Sequence, residues 1–157
     1  MKLLIEYLEN YNPSWGELDY KHTDDSGFDL RAAIAEPLTL KPGEHRLIDN
    51  GVKIEFAGPY PLDDNFIYEI QVRPRSGLAA KFGISVVNTP GTVDFGYRGE
   101  LKTNLINLGQ EDFVISPGDR IAQAVICPVL RAHIATVKAV NQSTDRGSGG
   151  FGSTGQK

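Results

Sequence analysis

Apolar and polar positions in this chain alternate over short runs instead of recurring at helical spacing. In Glu100-Leu101-Lys102-Thr103-Asn104-Leu105 every second side chain suits a core and the others suit water, the period of a half-buried strand. On this pattern strands are predicted over Lys2 to Tyr7, Leu38 to Leu40, Arg46 to Phe56, Phe66 to Arg73, Ile84 to Val87, Glu100 to Asn107, Phe113 to Ile115 and Ile121 to Pro128. Between them stand Lys41-Pro42-Gly43-Glu44, Gly58-Pro59-Tyr60-Pro61, Thr89-Pro90-Gly91 and Ser116-Pro117-Gly118-Asp119. Proline presets φ and glycine accepts φ > 0, so these are turns. Many short strands punctuated in this way predict an all-β sandwich, barrel or jelly roll.

One stretch departs from the pattern. Arg75 to Phe82 reads as a short helix, with Pro74 ending the strand before it and Ser76 placed to cap its first turn. The chain shows no internal repeat. From Asn141 it becomes polar and glycine-rich, with five glycines from Gly147 to Gly155, too little apolar surface to order itself. The expected organisation is a β domain over 1–140 and a flexible arm over 141–157.

Composition narrows the picture. At 157 residues, 40% hydrophobic and 23% charged, the chain suits one globular domain. No apolar run approaches the roughly 20 residues of a spanning helix, and MKLLIEYLEN lacks the apolar core of a secretory signal, so no membrane partner and a cytoplasmic location are expected. A net charge of −4 argues against general nucleic-acid binding. The single cysteine, Cys127, lies in an apolar run and reads as a small buried hydrophobe; it excludes a disulfide within the chain.

Five segments carry candidate chemistry. Ser26-Gly27-Phe28-Asp29-Leu30-Arg31-Ala32-Ala33 places Asp29 where a carboxylate could face a metal-bound water. Pro74-Arg75-Ser76-Gly77-Leu78-Ala79 combines a guanidinium, a hydroxyl and a bare N–H at a predicted helix start, a combination that suits an anion. In the loop from Val87 to Glu100, Asn88 could read a base edge, Asp94 could accept a proton and Tyr97 could pack on a sugar. Asn88 and Asp94 serve equally well as residues that hold turns. Gly118-Asp119-Arg120-Ile121-Ala122-Gln123 offers Gln123 to a phosphate, while Asp119 and Arg120 read as an ordinary turn pair entering a strand. In the glycine-rich end, Arg146, Phe151, Ser153 and Thr154 supply a bidentate cation, a flat apolar face and two hydroxyls, which together suit a base joined to a phosphate chain.

In order and spacing these five segments resemble the signature motifs of the trimeric dUTPase family, from about residue 26 to the end of the chain. Each is weak alone; five in sequence, closing on Arg146-Gly147-Ser148-Gly149-Gly150-Phe151-Gly152-Ser153-Thr154-Gly155, are specific. The resemblance implies a β jelly roll or distorted barrel, a homotrimer whose active sites are each built by three chains, and hydrolysis of dUTP to dUMP and pyrophosphate with Mg²⁺. It implies that Asp94 activates the attacking water and that Asn88 reads uracil in the hairpin containing Gly91, Thr92 and Val93. Tyr97 then stacks on the deoxyribose and excludes a 2′-hydroxyl. Arg75, Ser76, Gly77 and Gln123 become phosphate ligands, and Asp29 orients waters on Mg²⁺. Arg146, Phe151, Gly152, Ser153 and Thr154 belong to a mobile arm that closes over the nucleotide.

Two stretches depart from the family pattern: Ala57 to Asn65 is longer than usual, and Tyr11 to His22 is divergent. Neither touches a motif. Two other readings remain beside hydrolysis. A dCTP deaminase shares the fold but needs a glutamate base, and release of ammonia from dCTP would reveal it. A binding protein that docks a partner through the 57–65 loop would be revealed by capture with and without that loop.

Overall fold

Alternation in sequence becomes alternation in burial. In the computed structural model, which describes residues 2–58, 65–141 and 143–148, the strand Val52–Ala57 buries Val52, Ile54 and Phe56 and turns Glu55 to solvent. Eleven strands are present among the described residues. They are β1 (Lys2–Tyr7), β2 (Gly27–Arg31), β3 (Leu38–Leu40), β4 (His45–Asp49), β5 (Val52–Ala57), β6 (Phe66–Pro74), β7 (Ile84–Val86), β8 (Gly91–Val93), β9 (Lys102–Asn107), β10 (Phe113–Ile115) and β11 (Arg120–Leu130). The all-β expectation holds. One helix, α1 (Ser76–Phe82), and a 3₁₀ turn at Pro13–Trp15 complete the described elements.

Pairing is antiparallel throughout and mostly between strands distant in sequence. β2-β11-β6-β8 form a four-stranded sheet, β4-β9-β7 a three-stranded sheet, and β1-β5 and β10-β3 two ribbons. Two clusters of buried apolar side chains are formed by these strands. Phe28, Leu30, Val52, Ile54, Phe56, Ile70, Val72, Ala122 and Ala124 belong to the first, and Leu40, Ile48, Ile84, Leu105, Ile115 and Ile121 to the second.

Three expectations need correction. The strand predicted over Arg46 to Phe56 is two strands, β4 and β5, which belong to different sheets. They part at Asn50 and Gly51. Gly51 has φ +70°, and a Cβ there would lie 2.9 Å from the Cβ atoms of Ala33 and Tyr11, so only glycine suits the corner. Asn50 is buried and satisfied: its Nδ2 donates to the carbonyl of Arg31 at 2.8 Å, and its Oδ1 accepts from the Thr103 hydroxyl at 3.0 Å. Ser76 does not cap α1. Arg75 holds the extended cap conformation (φ −83°, ψ 126°), Ser76 is the first helical residue, and no side chain closes the first turn. Cys127 is half-buried rather than buried, because its side of β11 carries the polar row of β6; the Arg73 guanidinium lies 3.5 Å from its sulfur.

Candidate functional site

A cavity of about 550 Å³, in the range of small-ligand sites, opens where β2, β11 and α1 converge. Its lining includes Asp29 from β2, Arg75, Ser76 and Gly77 at the start of α1, and Gln123 from β11. These five come from three separated segments of the sequence. Their convergence follows from register: β11 is the central partner of both β2 and β6, with Gln123 opposite Asp29 on one side and Arg73 on the other. Pro74 then ends β6 and hands Arg75 and Ser76 to the helix.

The electrostatic centre of the pocket is Asp29. Arg75 donates through Nε to Oδ1 at 2.7 Å and through Nη2 to Oδ2 at 3.5 Å, while Arg120 donates through Nη1 to Oδ2 at 3.1 Å. A further bond from Arg75 Nη1 to the Arg120 carbonyl, at 3.2 Å, ties the two arginines together. Gln123 donates through Nε2 to the Pro74 carbonyl at 2.9 Å, which holds the strand end against β11.

Arg120, which reads in the sequence as half of an ordinary turn pair entering a strand, lines the cavity because of a β-bulge. Strand alternation puts residues three apart on opposite faces, so Arg120 and Gln123 should diverge. The register shifts between Arg120 and Ala122: Arg120 pairs with Arg31 and Ala122 with Leu30, two residues against one. That extra residue restores Arg120 to the side of Gln123, and both line the cavity. Lys21 and Lys81 also line it without forming an ion pair within 4 Å among the described residues. A cation in the divergent segment before β2 carried no signal in the sequence.

The other candidates lie elsewhere in the chain. Gly91, Thr92 and Val93 form β8 on the far side of β6, so β8 and β2 are opposite edges of one sheet, three strand spacings or about 14 Å apart. The loop after β8 is fixed by Phe95, whose ring stacks on Phe56 at 5.1 Å, and by the turn from Tyr97 N–H to the Asp94 carbonyl at 3.0 Å. Phe95 is thereby held at the core while Asp94 is exposed, with no hydrogen bond to its carboxylate among the described residues. Tyr97 is 44% exposed and donates to the Glu100 carbonyl at 3.0 Å. Asn88 is exposed beside the buried Gly91, where an added Cβ would lie 3.4 Å from its Nδ2. Arg146 is exposed and does not line the cavity. Phe151, Gly152, Ser153 and Thr154, like most of the 57–65 loop, lie outside the described residues.

Among the described residues no group of three or more His, Cys, Asp or Glu side chains could hold a metal ion. No described helix is long and apolar enough to cross a membrane.

Comparison with known proteins identifies the family. A dUTPase family model matches residues 14–155. The chain is 52% identical over 140 residues to the deoxyuridine 5′-triphosphate nucleotidohydrolase of Maricaulis maris, covering 88% of this chain and 86% of that one. It is 48% identical over 153 residues to the enzyme of the same name from Bdellovibrio bacteriovorus, covering 97% and 95%. Among solved structures it is similar to the Staphylococcus bacteriophage 80alpha dUTPase with dUpNHpp, with a TM-score of 0.78 and 25% identity over 98% of both chains. It is similar in fold to a mutant dUTPase from phage phi11 of S. aureus, described for its coordination of a structural Mg(II) ion, with a TM-score of 0.71 and 23% identity over 88% and 98% of the two chains. The family match spans all five motifs, and the chain belongs to the dUTPase family.

Proposed function

We propose that this chain hydrolyses dUTP to dUMP and pyrophosphate. The observation that carries the reading is the meeting of Asp29, Arg75, Ser76, Gly77 and Gln123 in one cavity of a dUTPase-family chain. A guanidinium, a hydroxyl, a backbone N–H and an amide in one place are donors suited to a phosphate chain. Water attacks the α-phosphorus, a new P–O bond forms, the bridging P–O bond to the β-phosphate breaks, and pyrophosphate leaves with its electron pair. Asp94 accepts the proton of the attacking water.

Within one chain Asp94 and Asn88 do not line the phosphate cavity. In our reading they reach the cavity of a neighbouring chain, in a homotrimer with three such sites. Asn88 pairs with the uracil edge against Gly91, Thr92 and Val93, and Tyr97 covers the deoxyribose. Residues 1–140 form the catalytic domain, and 141–157 form the arm that brings Arg146, Phe151, Gly152, Ser153 and Thr154 over the nucleotide. The enzyme works in the cytoplasm, without a nucleic-acid or membrane partner.

Mg²⁺ fits the donor set as a substrate-borne ion. The cavity offers Asp29, with a side chain 29% exposed, but no cage of carboxylates, and Mg²⁺ ordinarily keeps several waters and leans on phosphate oxygens. Bound there, it would neutralise charge on the phosphates. Asp29 would hold its waters, while Arg75, Ser76 and Gln123 orient the phosphate chain.

Incubating the pure protein with Mg²⁺ and each deoxynucleoside triphosphate in turn tests the reading. Pyrophosphate should appear efficiently from dUTP alone, since a site built to hydrogen-bond one base edge rejects mispaired analogues by about 10⁴ or more. Comparable kcat/KM for dUTP and dCTP, or ammonia from dCTP, overturns it.

A further inference from the structure

Arg75 presents its Nε and Nη2 edge, the fork that grips a phosphate or carboxylate with two parallel bonds, to Asp29. Its third nitrogen is bonded to the Arg120 carbonyl, and Arg120 adds its own guanidinium to Asp29 Oδ2. One carboxylate therefore holds both arginines of the cavity, Arg75 on the edge that a phosphate oxygen pair would need and Arg120 through a single nitrogen. We propose that Asp29 is an internal anion that masks Arg75 and Arg120, so that tight binding of a phosphate chain depends on a divalent cation drawing Asp29 away. This inference rests on the phosphate reading of the cavity and goes beyond it. It assigns Asp29 a selective role against metal-free phosphates and makes Arg120 the group that shares its charge.

Arg75 keeps its two-bond geometry only with a partner that offers two oxygens in a plane, which Asp29 does and an amide or a methyl does not, while Arg120 needs only one oxygen. Without the carboxylate Arg75 retains its bond to the Arg120 carbonyl and its fork is free. The three side chains are 28%, 29% and 41% exposed, so each ion pair is partly screened. Releasing two such pairs corresponds to about three- to tenfold in affinity.

The test is calorimetric titration of inorganic pyrophosphate into the full chain, with EDTA and separately with Mg²⁺. Asp29→Asn and Asp29→Ala should bind metal-free pyrophosphate about three- to tenfold more tightly than the parent, and Mg²⁺ should tighten binding much more in the parent than in either variant. Asp19→Asn removes another carboxylate of the cavity wall that forms no ion pair with either arginine, and should give the smaller gain. Thermal unfolding identifies which Asp29 variants are folded, and two chemistries at one position guard against the loss of either. Unchanged or weaker metal-free binding in folded Asp29 variants overturns the masking role, as does an equal gain in Asp19→Asn. If the parent binds no pyrophosphate even with Mg²⁺, the phosphate reading of the cavity fails first.

Discussion

The indole of Trp15 stands where a Cβ on Gly118 would lie, at the turn that delivers Arg120 to the cavity. Gly118 has φ +83°, its N–H donates to the Ala32 carbonyl at 2.8 Å, and its carbonyl accepts from Arg31 Nη1 at 2.8 Å. A Cβ there would stand 2.6 Å from Cε2 of Trp15. Gly118→Ala combines a left-handed alanine with a clash against a ring that is itself packed edge-on to Tyr11 at 5.2 Å. The expected cost is about 2–4 kcal/mol, read as a lower urea midpoint. Trp15→Ala in the same background should recover part of it. No loss in the single variant would mean that the turn repacks freely.

The buried pair of Thr103 and Asn50 predicts an asymmetric response to substitution. Thr103→Val keeps shape but withdraws the donor from Asn50 Oδ1, leaving a buried acceptor unpaired at a cost of about 1–3 kcal/mol. Thr103→Ser retains the hydroxyl and should cost less than Thr103→Val. Chemical denaturation of both variants measures the difference, and the reverse order would sink the assignment.

Burial, reinforced by the nearby Tyr7, holds the Tyr11 phenol above its ordinary pKa of about 10, while its hydroxyl donates to the Gly16 carbonyl at 2.6 Å. The folded state thus keeps a proton that the unfolded chain releases near pH 10. Stability should be flat in this respect below pH 10 and fall as pH rises through the raised folded value, by at most one proton per chain. Tyr11→Phe should be less stable at pH 8 yet show a shallower fall from pH 9 to 11 in urea titrations.

Asp94→Asn keeps the side chain's shape but cannot accept a proton. Turnover of dUTP should fall by about 10² to 10⁴ with binding retained, since the substitution touches neither the cavity donors nor the stacked Phe95. Retention of more than about a tenth of normal kcat would remove Asp94 from its role.

The proposed homotrimer, in which Asp94 and the arm of one site come from different chains, predicts complementation. Asp94→Asn with its arm intact and a truncation ending before Arg146 should each be inactive. Around a mixed trimer the order of truncated chain followed by Asn chain occurs once, so one site in three is complete. Equal random mixing makes about three quarters of trimers mixed, and roughly a quarter of normal activity should return on co-refolding. Verified co-assembly without recovery would show that one chain supplies both groups.

Some of this protein is written locally. Alternation at Val52 to Phe56 and at Lys102 to Asn107, the turn at Ser116 to Asp119 and the helix after Pro74 depend on neighbouring residues, and all were legible from the sequence. The short β2 and β8 are not among the strands predicted from the sequence, although Gly27-Phe28-Asp29-Leu30-Arg31 alternates, because segments of five and three residues that open on glycine carry little periodic signal. The five motifs named the family because residue type and order survive without coordinates. Tertiary structure alone decided which of those residues meet. The sheet switch at Gly51, the bulge that turns Arg120 toward Gln123, and the opposite edges given to β2 and β8 all depend on pairing between distant segments. Pairing register is a property of two strands at once, so a pattern read along one strand leaves it open.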